Sequence, residues 1–230
     1  MARIFFVRHG QASFLKSNYD ELSSLGQTQA KLLGQFFRQR ELVFDKFYCG
    51  NLVRQKQTVE GVLNGLGSSE KYGTLEGFDE HHGPEIVKPF YPDRFYLDKE
   101  VSPEDFESFR RFFYGTYFKL AIPWVKGELD PDKVGHIESW SQFKERFDLA
   151  IQQVFADIGQ GENILIATSG GPVGAAVGRA LQLNDENTLK LGWQVKNSSY
   201  TEFLYSKGRF NLVSFNETPH LIDPRYHTMV

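Results

Sequence analysis

The chain alternates short apolar runs with longer stretches of helical periodicity, and this alternation predicts an α/β fold. Residues 4–7 and 163–168 are largely apolar and rich in β-branched or aromatic types, as expected of strands buried on both faces of a sheet. Between these runs, apolar residues recur every three or four positions, which is typical of helices that pack on such a sheet. The sequence therefore predicts buried strands covered by helices.

Polar residues follow the first predicted strand directly. Residues 4–7 are followed directly by Arg8, His9 and Gly10. Open α/β sheets bind ligands in the crevice at the carboxyl ends of their strands, and a glycine there leaves the backbone open to a ligand. We therefore take Arg8 and His9 as candidate site residues. The alternative is that His9 is an ordinary histidine at the end of a strand.

The remaining elements follow in order along the chain. Helices are predicted where apolar residues keep a period near 3.6, at 24–40, 52–66, 103–120, 139–158 and 172–181. Ser139 and Gln142 fit a capping box at the start of one of them, and Pro172 suits the first position of another. Further strands are expected at 44–49, 200–205 and 210–215, the last two as a hairpin or a pair of edge strands.

Composition narrows the partners of the protein. The 230 residues, 40% of them hydrophobic, suffice for one domain over 1–230. The net charge of −3 and the scattered basic residues argue against nucleic acid and acidic membranes as partners, which leaves a small molecule. A single cysteine, Cys49, and the absence of a signal peptide predict a cytoplasmic location. No apolar run approaches the roughly 20 residues of a membrane span. The sequence leaves open a homo-oligomer.

The composition changes from residue 83 to about 138. Prolines punctuate this segment and aromatic residues crowd it between 90 and 124. We interpret 83–138 as an inserted helical lid over the crevice that selects the substrate. The alternative is an extra packing layer. Residues 11–18, which include several polar and small residues, are expected to form a loop across the mouth of the site.

Three other places carry candidate site residues. Arg54 lies in the first turn of a predicted helix, where a cation is disfavoured unless an anion is nearby. Gly170 and Gly171 precede another helix and leave backbone N–H groups open to an anion. The stretch 77–83 holds two acids and two histidines, but adjacent histidines on a regular element face different ways, so no metal site is predicted there.

Taken together, these motifs resemble those of the histidine phosphatase superfamily, the phosphoglycerate mutase-like enzymes. The similarity extends from residue 3 to about 221, interrupted mainly by the insertion. It is carried by residues 4–11, 22–30, 50–58, 168–171, 197–199 and 216–221. The resemblance implies a three-layer α/β/α sandwich with a mostly parallel central sheet. At two positions the chain differs from the family, which more often has serine at Gly50 and usually has its second catalytic histidine at Ser169.

The resemblance also implies roles for individual residues. His9 would be the nucleophile that forms a phosphohistidine, and Glu80 would transfer the proton, with Asp79 and Glu76 as alternative assignments. Residues expected to bind the phosphate are Arg8, Arg54, Ser169 and Gly170. Secondary candidates are Gln11, His81 and His136; His82 is a further imidazole that would reach the site from the same loop as His81. Arginines and helix-end N–H groups would supply the positive field, so no metal or other cofactor is expected.

The sequence thus predicts a phosphatase that acts on a small phosphorylated metabolite. One alternative is phosphotransfer of the phosphoglycerate mutase type, although residues 11–14 depart from the Glu-Ser that follows Arg-His-Gly in those mutases. Another is a weakly active or non-catalytic protein that binds phosphorylated ligands, which only Ser169 favours. An imidazole placed at position 169 is expected to raise the rate if the pocket has room for the ring.

Overall fold

The computed structural model describes residues 1–12, 20–94 and 103–229, in which a six-stranded sheet lies between two layers of helices. The strands are β1 (Ala2–Arg8), β2 (Lys46–Cys49), β3 (Tyr72–Thr74), β4 (Asn163–Thr168), β5 (Tyr200–Ser206) and β6 (Arg209–Glu217). Their spatial order is β3-β2-β4-β1-β5-β6. The first four of these neighbours are parallel, whereas β5 and β6 are antiparallel. The predicted α/β class and mostly parallel sheet are therefore confirmed.

The helices are α1 (Ser24–Gln39), α2 (Val53–Leu66), α3 (Gly83–Val87), α4 (Pro103–Lys126), α5 (Pro131–Val134), α6 (Trp140–Asp157), α7 (Gly170–Leu181) and α8 (Asp185–Gly192). Short 3-10 turns cover Glu76–Phe78, Lys88–Phe90, Pro92–Arg94 and Pro224–Tyr226. Helices α1 and α2 pack on one face of the sheet, and α4, α6 and α7 contribute to the core on the other face. No helix within the described ranges has both the length and the apolar character of a membrane span.

The alternation of side chains along β1 divides the core in two. Ile4 and Phe6 point into the cluster that contains α6 and α7, and Phe5 and Val7 point into the cluster that contains α1 and α2. All four are buried, because successive side chains of a strand face opposite sides of the sheet. This explains why residues 4–7 form a continuous apolar run rather than an alternating one.

The register of the central strands brings two candidate residues together. In β1 and β4, Arg8 pairs with Thr168, so both parallel strands end at the same edge of the sheet. The N–H of His9 then donates to the carbonyl of Thr168 over 2.7 Å. His9 and Ser169, the next residue of each chain segment, therefore leave the sheet side by side at its carboxyl edge.

Several element boundaries differ from the predicted ones. Helix α4 continues past Pro123 to residue 126, because Ala121 and Trp124 are buried and hold the last turn in place despite the proline. Helix α7 begins at Gly170, so Pro172 is its third residue and not its first. The first-turn N–H groups of a helix have no partner within it, so proline fits this position as well.

Parts of two predictions fall outside the described residues. Residues 13–18 of the loop expected across the mouth of the site lie there, and so do residues 95–102 of the segment 83–138. The rest of that segment consists of α3, α4, α5 and two 3-10 turns. Helix α4 packs against α3, α6 and α8 through its buried side chains.

Candidate active site

His9 is fixed at the end of β1 by backbone contacts on both sides. Its N–H donates to Thr168 on β4, and its carbonyl accepts from the N–H of Ser198 at 3.1 Å and from the side-chain amide of Asn197 at 3.3 Å. The next residue, Gly10, packs so closely on Gly26 that a Cβ atom would lie 2.4 Å from the Gly26 carbonyl oxygen. The sequence thus places the imidazole on a rigid support.

The hydrogen bonds of His9 select one tautomer of the ring. Nδ1 lies 2.7 Å from the carbonyl oxygen of Gly10, and because a carbonyl only accepts, Nδ1 carries the proton. Nε2 accepts from the Nε–H of Arg54 over 3.2 Å. Burial, together with the charges of Arg54 and Arg8, holds the pKa of His9 well below 6.5. The ring is therefore neutral at pH 7, with the lone pair of Nε2 directed into the site.

Two arginines bring positive charge to this imidazole. Arg54, in the first turn of α2, contacts Nε2 of His9 directly. Its Nη1 is 2.7 Å from a carboxylate oxygen of Asp20, and the other oxygen of Asp20 accepts from the N–H of Val53 over 2.8 Å. Arg8 donates to the carbonyl of Val195. The carboxylate of Asp20 thus lies at the cationic start of α2, where anions bind.

Glu80 lies beside the start of α7. Its two carboxylate oxygens are each 3.1 Å from the N–H of Gly171, and one of them is 3.1 Å from the N–H of His81. Burial alone would raise the pKa of this carboxyl, but the His81 imidazole, the Gly171 N–H and the charge of Arg54 outweigh it and lower the pKa to about 2. In the structure Glu80 is therefore a carboxylate, and its charge acts on the pKa of His9 in turn.

His81 and His82 point in different directions. His81 is 8% exposed, whereas His82 is exposed at the start of α3. Nδ1 of His81 lies 2.8 Å from a carboxylate oxygen of Glu80, and Nε2 is 2.5 Å from the hydroxyl of Tyr117 on α4. The imidazole thus lies between Glu80 and Tyr117.

Ser169 is fully buried and contacts Gln55 on α2. Its hydroxyl accepts from the side-chain amide of Gln55 over 2.9 Å, and the same amide nitrogen donates to the carbonyl of Phe78 over 3.0 Å. A Cβ atom at Gly50 would lie 2.0 Å from the amide oxygen of Gln55 and 2.3 Å from a carboxylate oxygen of Asp79. The glycine at position 50 therefore makes room for these two side chains.

Gly170 and Gly171 allow the start of α7 to approach its neighbours. A Cβ atom at Gly170 would lie 2.6 Å from the carbonyl oxygen of Gly192 on α8. At Gly171 it would lie 2.1 Å from Glu80 and 2.7 Å from Nδ1 of His81. Both glycines are required by close contacts, and the N–H of Gly171 is directed at an anionic group, the Glu80 carboxylate.

Arg146 of α6 supports the segment that carries Glu80. It donates to the carbonyls of Asp79 at 2.8 Å and Glu80 at 3.3 Å, and it forms an ion pair with Glu138 at 2.5 Å. Sequence reasoning did not find Arg146, nor did it find Asp20, Gln55 or Tyr117. Gln55 is adjacent to Arg54, and Asp20 precedes the first helix, but no pattern in the sequence links Arg146 or Tyr117 to the site.

The other sequence candidates lie around this centre. The side chain of Gln11 accepts from the hydroxyl of Ser23 at the start of α1. Asp79 accepts from the N–H of Asn51 over 2.5 Å, and the exposed Glu76 contacts Arg146 only through its backbone carbonyl. His136 is exposed between α5 and α6. The structure therefore brings His9, Arg54 and Glu80 together but keeps Glu76 and His136 at the surface.

The described part of the chain contains no cluster of side chains suited to a metal ion. In residues 1–12, 20–94 and 103–229, no three or more His, Cys, Asp or Glu side chains are grouped so that they hold a metal ion. Among the same residues, the positive groups next to His9 are guanidinium groups and the N–H groups at the starts of α2 and α7.

Structures of other proteins share this fold over almost their whole length. A phosphoserine phosphatase variant from Entamoeba histolytica bound to phosphoserine is 19% identical, with a TM-score of 0.64, and the match covers 96% of this chain and 100% of that one. YhfR from Bacillus stearothermophilus is 16% identical, with a TM-score of 0.68 and coverages of 96% and 100%. A phosphoglycerate mutase from Bacillus anthracis is 17% identical, with a TM-score of 0.64 and coverages of 96% and 95%.

The family itself is established at the level of sequence. The model of the histidine phosphatase superfamily (branch 1) matches residues 4–93 and 116–218 of this chain. These two segments contain most of β1 and the adjacent His9, the start of α2 with Arg54, Glu80, strand β4, and the glycines that begin α7. The chain therefore belongs to the histidine phosphatase superfamily, branch 1.

Proposed function

We propose that this protein is a phosphatase that hydrolyses a small phosphomonoester through a phosphohistidine on His9. The observation that carries the proposal is the state of His9, a buried neutral imidazole whose unprotonated Nε2 faces the guanidinium of Arg54. A neutral ring nitrogen is a nucleophile, and a guanidinium beside it offers two parallel donors to phosphoryl oxygens. An imidazolium would have no lone pair with which to attack.

In the first step, Nε2 of His9 attacks phosphorus and the bond from phosphorus to the ester oxygen breaks. Arg8, Arg54, the hydroxyl of Ser169 and the N–H of Gly170 bind the three equatorial oxygens as charge builds up on them. The phosphoryl group takes the place that Asp20 holds on Arg54 in the structure. His9 keeps its proton on Nδ1 throughout, shared with the carbonyl of Gly10.

Glu80 supplies and recovers the proton. The negative charge of the arriving phosphoryl group raises the pKa of the carboxyl above its value of about 2 in the unliganded site, so that Glu80 takes up a proton. It gives this proton to the departing alkoxide. In the second step, the carboxylate removes a proton from water, the resulting hydroxide attacks phosphorus, and inorganic phosphate leaves while His9 is restored.

A serine at position 169 reduces the transition-state stabilisation available. A single preorganised donor of this type is worth about 10²–10³ in rate, and the hydroxyl of Ser169 is directed at Gln55 in the structure. We therefore propose an enzyme of reduced but measurable turnover.

Because guanidinium groups supply the positive field, the reaction as proposed is metal-independent. The one cysteine in the sequence, Cys49, fits a reducing, cytoplasmic location for this enzyme.

The test is rapid-quench mass spectrometry of the protein mixed with an aryl phosphate such as p-nitrophenyl phosphate. We expect a phosphoryl adduct on His9 that forms and decays at the rate of phosphate release. His9→Ala is expected to abolish both adduct and turnover while the fold is kept, because the buried side chains of residues 4–7 hold β1. The matched control is His136→Ala, which removes an exposed imidazole and leaves turnover unchanged. Equal turnover in wild type and His9→Ala would overturn the proposal.

Two other outcomes separate the alternatives. Transfer of the phosphoryl group from His9 to an added hydroxy acid in preference to water would favour a mutase-type activity. Tight binding of vanadate or phosphate without any adduct would favour a protein that binds phosphorylated ligands without turnover.

A further inference from the structure

We infer that His81, with Tyr117 behind it, is a positioning residue that holds the proposed acid–base Glu80 in its orientation and charge state. This inference rests on the proposed function for the role of Glu80. The geometry itself concerns only His81, Tyr117 and Glu80. It assigns a task to an imidazole that the proposed steps of catalysis do not otherwise use.

The contact between His81 and Glu80 is short and enclosed. Nδ1 of His81 lies 2.8 Å from Oε1 of Glu80, and the imidazole is 8% exposed. The ring N–H is not aligned with the carboxylate oxygen as in a linear hydrogen bond, and no other group among the described residues accepts from Nδ1. Buried polar atoms almost always have a partner. Among the residues that the structure describes, Glu80 is the only group within ion-pair distance of Nδ1, and contacts of this kind often become linear when substrate binds.

The other ring nitrogen determines which proton is available. Nε2 lies 2.5 Å from the hydroxyl of Tyr117, and the indole N–H of Trp193 is 3.5 Å from the same oxygen. Both facts are satisfied when Trp193 donates to the Tyr117 oxygen, Tyr117 donates to Nε2, and Nδ1 carries the proton that faces Glu80. The donors of Trp193, Tyr117 and His81 then form a series that ends beside the carboxylate, and each polarises the next.

Aromatic side chains hold the ring of His81 in place. It stacks on Trp124 with ring centroids 5.2 Å apart and on Tyr117 at 6.0 Å, and it meets Phe143 edge-on at 5.5 Å. The ring cannot turn without disturbing this packing. A fixed imidazole that faces a carboxylate is suited to orienting that carboxylate.

Glu80 also faces other charged and titratable groups. They are Arg54 from α2, His9 from β1 and Tyr117 from α4, while Arg146 from α6 contacts only the backbone carbonyl of Glu80. Helix α7 contributes the N–H of Gly171 and no titratable side chain. Among these groups, Arg54 is the one that a phosphoryl ligand would bind, and so its charge is shared with the substrate. His81 and Gly171 remain with Glu80 throughout.

A purely structural histidine would behave differently. If His81 only filled the core and satisfied Tyr117, its removal would lower the free energy of unfolding but leave the titration of Glu80 unchanged. If His81 instead orients Glu80 and favours its ionised form, removal of the Nδ1–H takes away a donor to the carboxylate, and the pKa of Glu80 rises. A conservative variant that keeps a donor at that point would restore the lower value.

The experiment is a ¹³C NMR titration of the protein labelled at Cδ of glutamate, with the Glu80 signal assigned by its loss in Glu80→Gln. The matched pair is His81→Asn and His81→Leu, whose side chains have the same number and branching of heavy atoms but differ in having a side-chain N–H. We expect the pKa of Glu80 to rise by about one unit or more in His81→Leu and to stay near the wild-type value in His81→Asn. His82→Leu, at the exposed neighbour, is expected to leave it unchanged.

A further variant at position 81 keeps the test valid if His81→Asn and His81→Leu do not fold. His81→Phe keeps the aromatic packing and lacks the donor, so a folded His81→Phe with an unshifted Glu80 signal would overturn the inference, as would identical titrations of His81→Asn and His81→Leu. The NMR readout does not need turnover. A protein with no phosphohistidine but a shifted Glu80 would refute the proposed function and leave the His81 contact standing. Where turnover is present, the limb of the pH–rate profile that reports Glu80 should move in the same direction as the NMR value.

Discussion

Gln55 contacts Gly50 and Ser169, the two positions at which the sequence motifs predict a difference from the family. Its amide oxygen fills the space beside Gly50, and its amide nitrogen binds the hydroxyl of Ser169 and the carbonyl of Phe78. All three side-chain contacts are buried. A larger residue at either position 50 or 169 would therefore compete with Gln55 for space, so the three positions form one packed unit.

This packing leads to a prediction for Ser169→His. The ring has no room beside Gln55, so we expect the substitution to lower the free energy of unfolding by about 1–3 kcal/mol, as overpacking does, and to lower turnover as well. On this expectation, an imidazole at position 169 would not raise the rate. Urea denaturation and steady-state turnover are the measurements. Ser169→His combined with Gln55→Ala should recover stability, whereas a single variant that is as stable as wild type and faster would contradict the prediction.

Sequence patterns identify the site residues that stand next to an element boundary. His9 and Arg8 end a buried strand, and Arg54 lies in the first turn of a helix, so local rules alone single them out. Asp20 and Tyr117 are different. Asp20 contacts Arg54 across 34 residues of sequence, and Tyr117 contacts His81 across 36. Local periodicity cannot predict contacts between residues so far apart in the chain.

Among the helices and strands, segments with strong periodicity or a continuous apolar run were predictable, and short segments with exposed or few apolar residues were not. The strand at Asn163–Thr168 and the capping box of Ser139 and Gln142 match the structure. Strand β3 was missed because it has three residues, two of them exposed, and pairs only with β2. Helix α8 was missed because its apolar residues are few, and its position depends on contacts of Gly170 and Gly174 with Gly192.

Helix α6 is linked to the proposed proton donor by Arg146. We expect Arg146→Ala to lower kcat by about 10–100-fold with a smaller effect on KM, because loss of the carbonyl contacts at Asp79 and Glu80 lets the carboxyl shift by a fraction of an ångström. Steady-state kinetics with an aryl phosphate measure the effect. The control is Lys144→Ala on the same helix α6. It removes the exposed ion pair between Lys144 and Asp185 of α8. Equal losses in both variants would mean that the effect is one of helix stability.

The whole molecule contains histidines that are neutral because they are buried. Burial, with the charge of His227, lowers the pKa of His220 to about 3, and the pKa of His9 is lowered too. In the unfolded chain both rings return to a pKa near 6.5. Between that pH and the folded-state value, the unfolded chain binds protons that the native protein does not, so stability falls as the pH falls.

The sign and size of this effect can be measured on His220. We expect the free energy of unfolding of wild type, relative to that of His220→Gln, to fall by up to about 1.4 kcal/mol for each pH unit from 6.5 toward 3. Chemical denaturation at a series of pH values gives these differences. His136→Gln, which replaces an exposed imidazole, should run parallel to wild type. A constant difference between wild type and His220→Gln across the range would rule out a neutral buried His220.

The carboxylate of Asp20 on Arg54 has a consequence for the end of each catalytic cycle. Inorganic phosphate, the last species to leave the proposed phosphatase, must give up the guanidinium to a competitor that is part of the same chain. A tethered group of this kind competes at an effective concentration set by its tether and not by the solution. Free phosphate must therefore compete with the Asp20 carboxylate for Arg54 at any protein concentration. We expect inorganic phosphate to be a weak inhibitor of the enzyme.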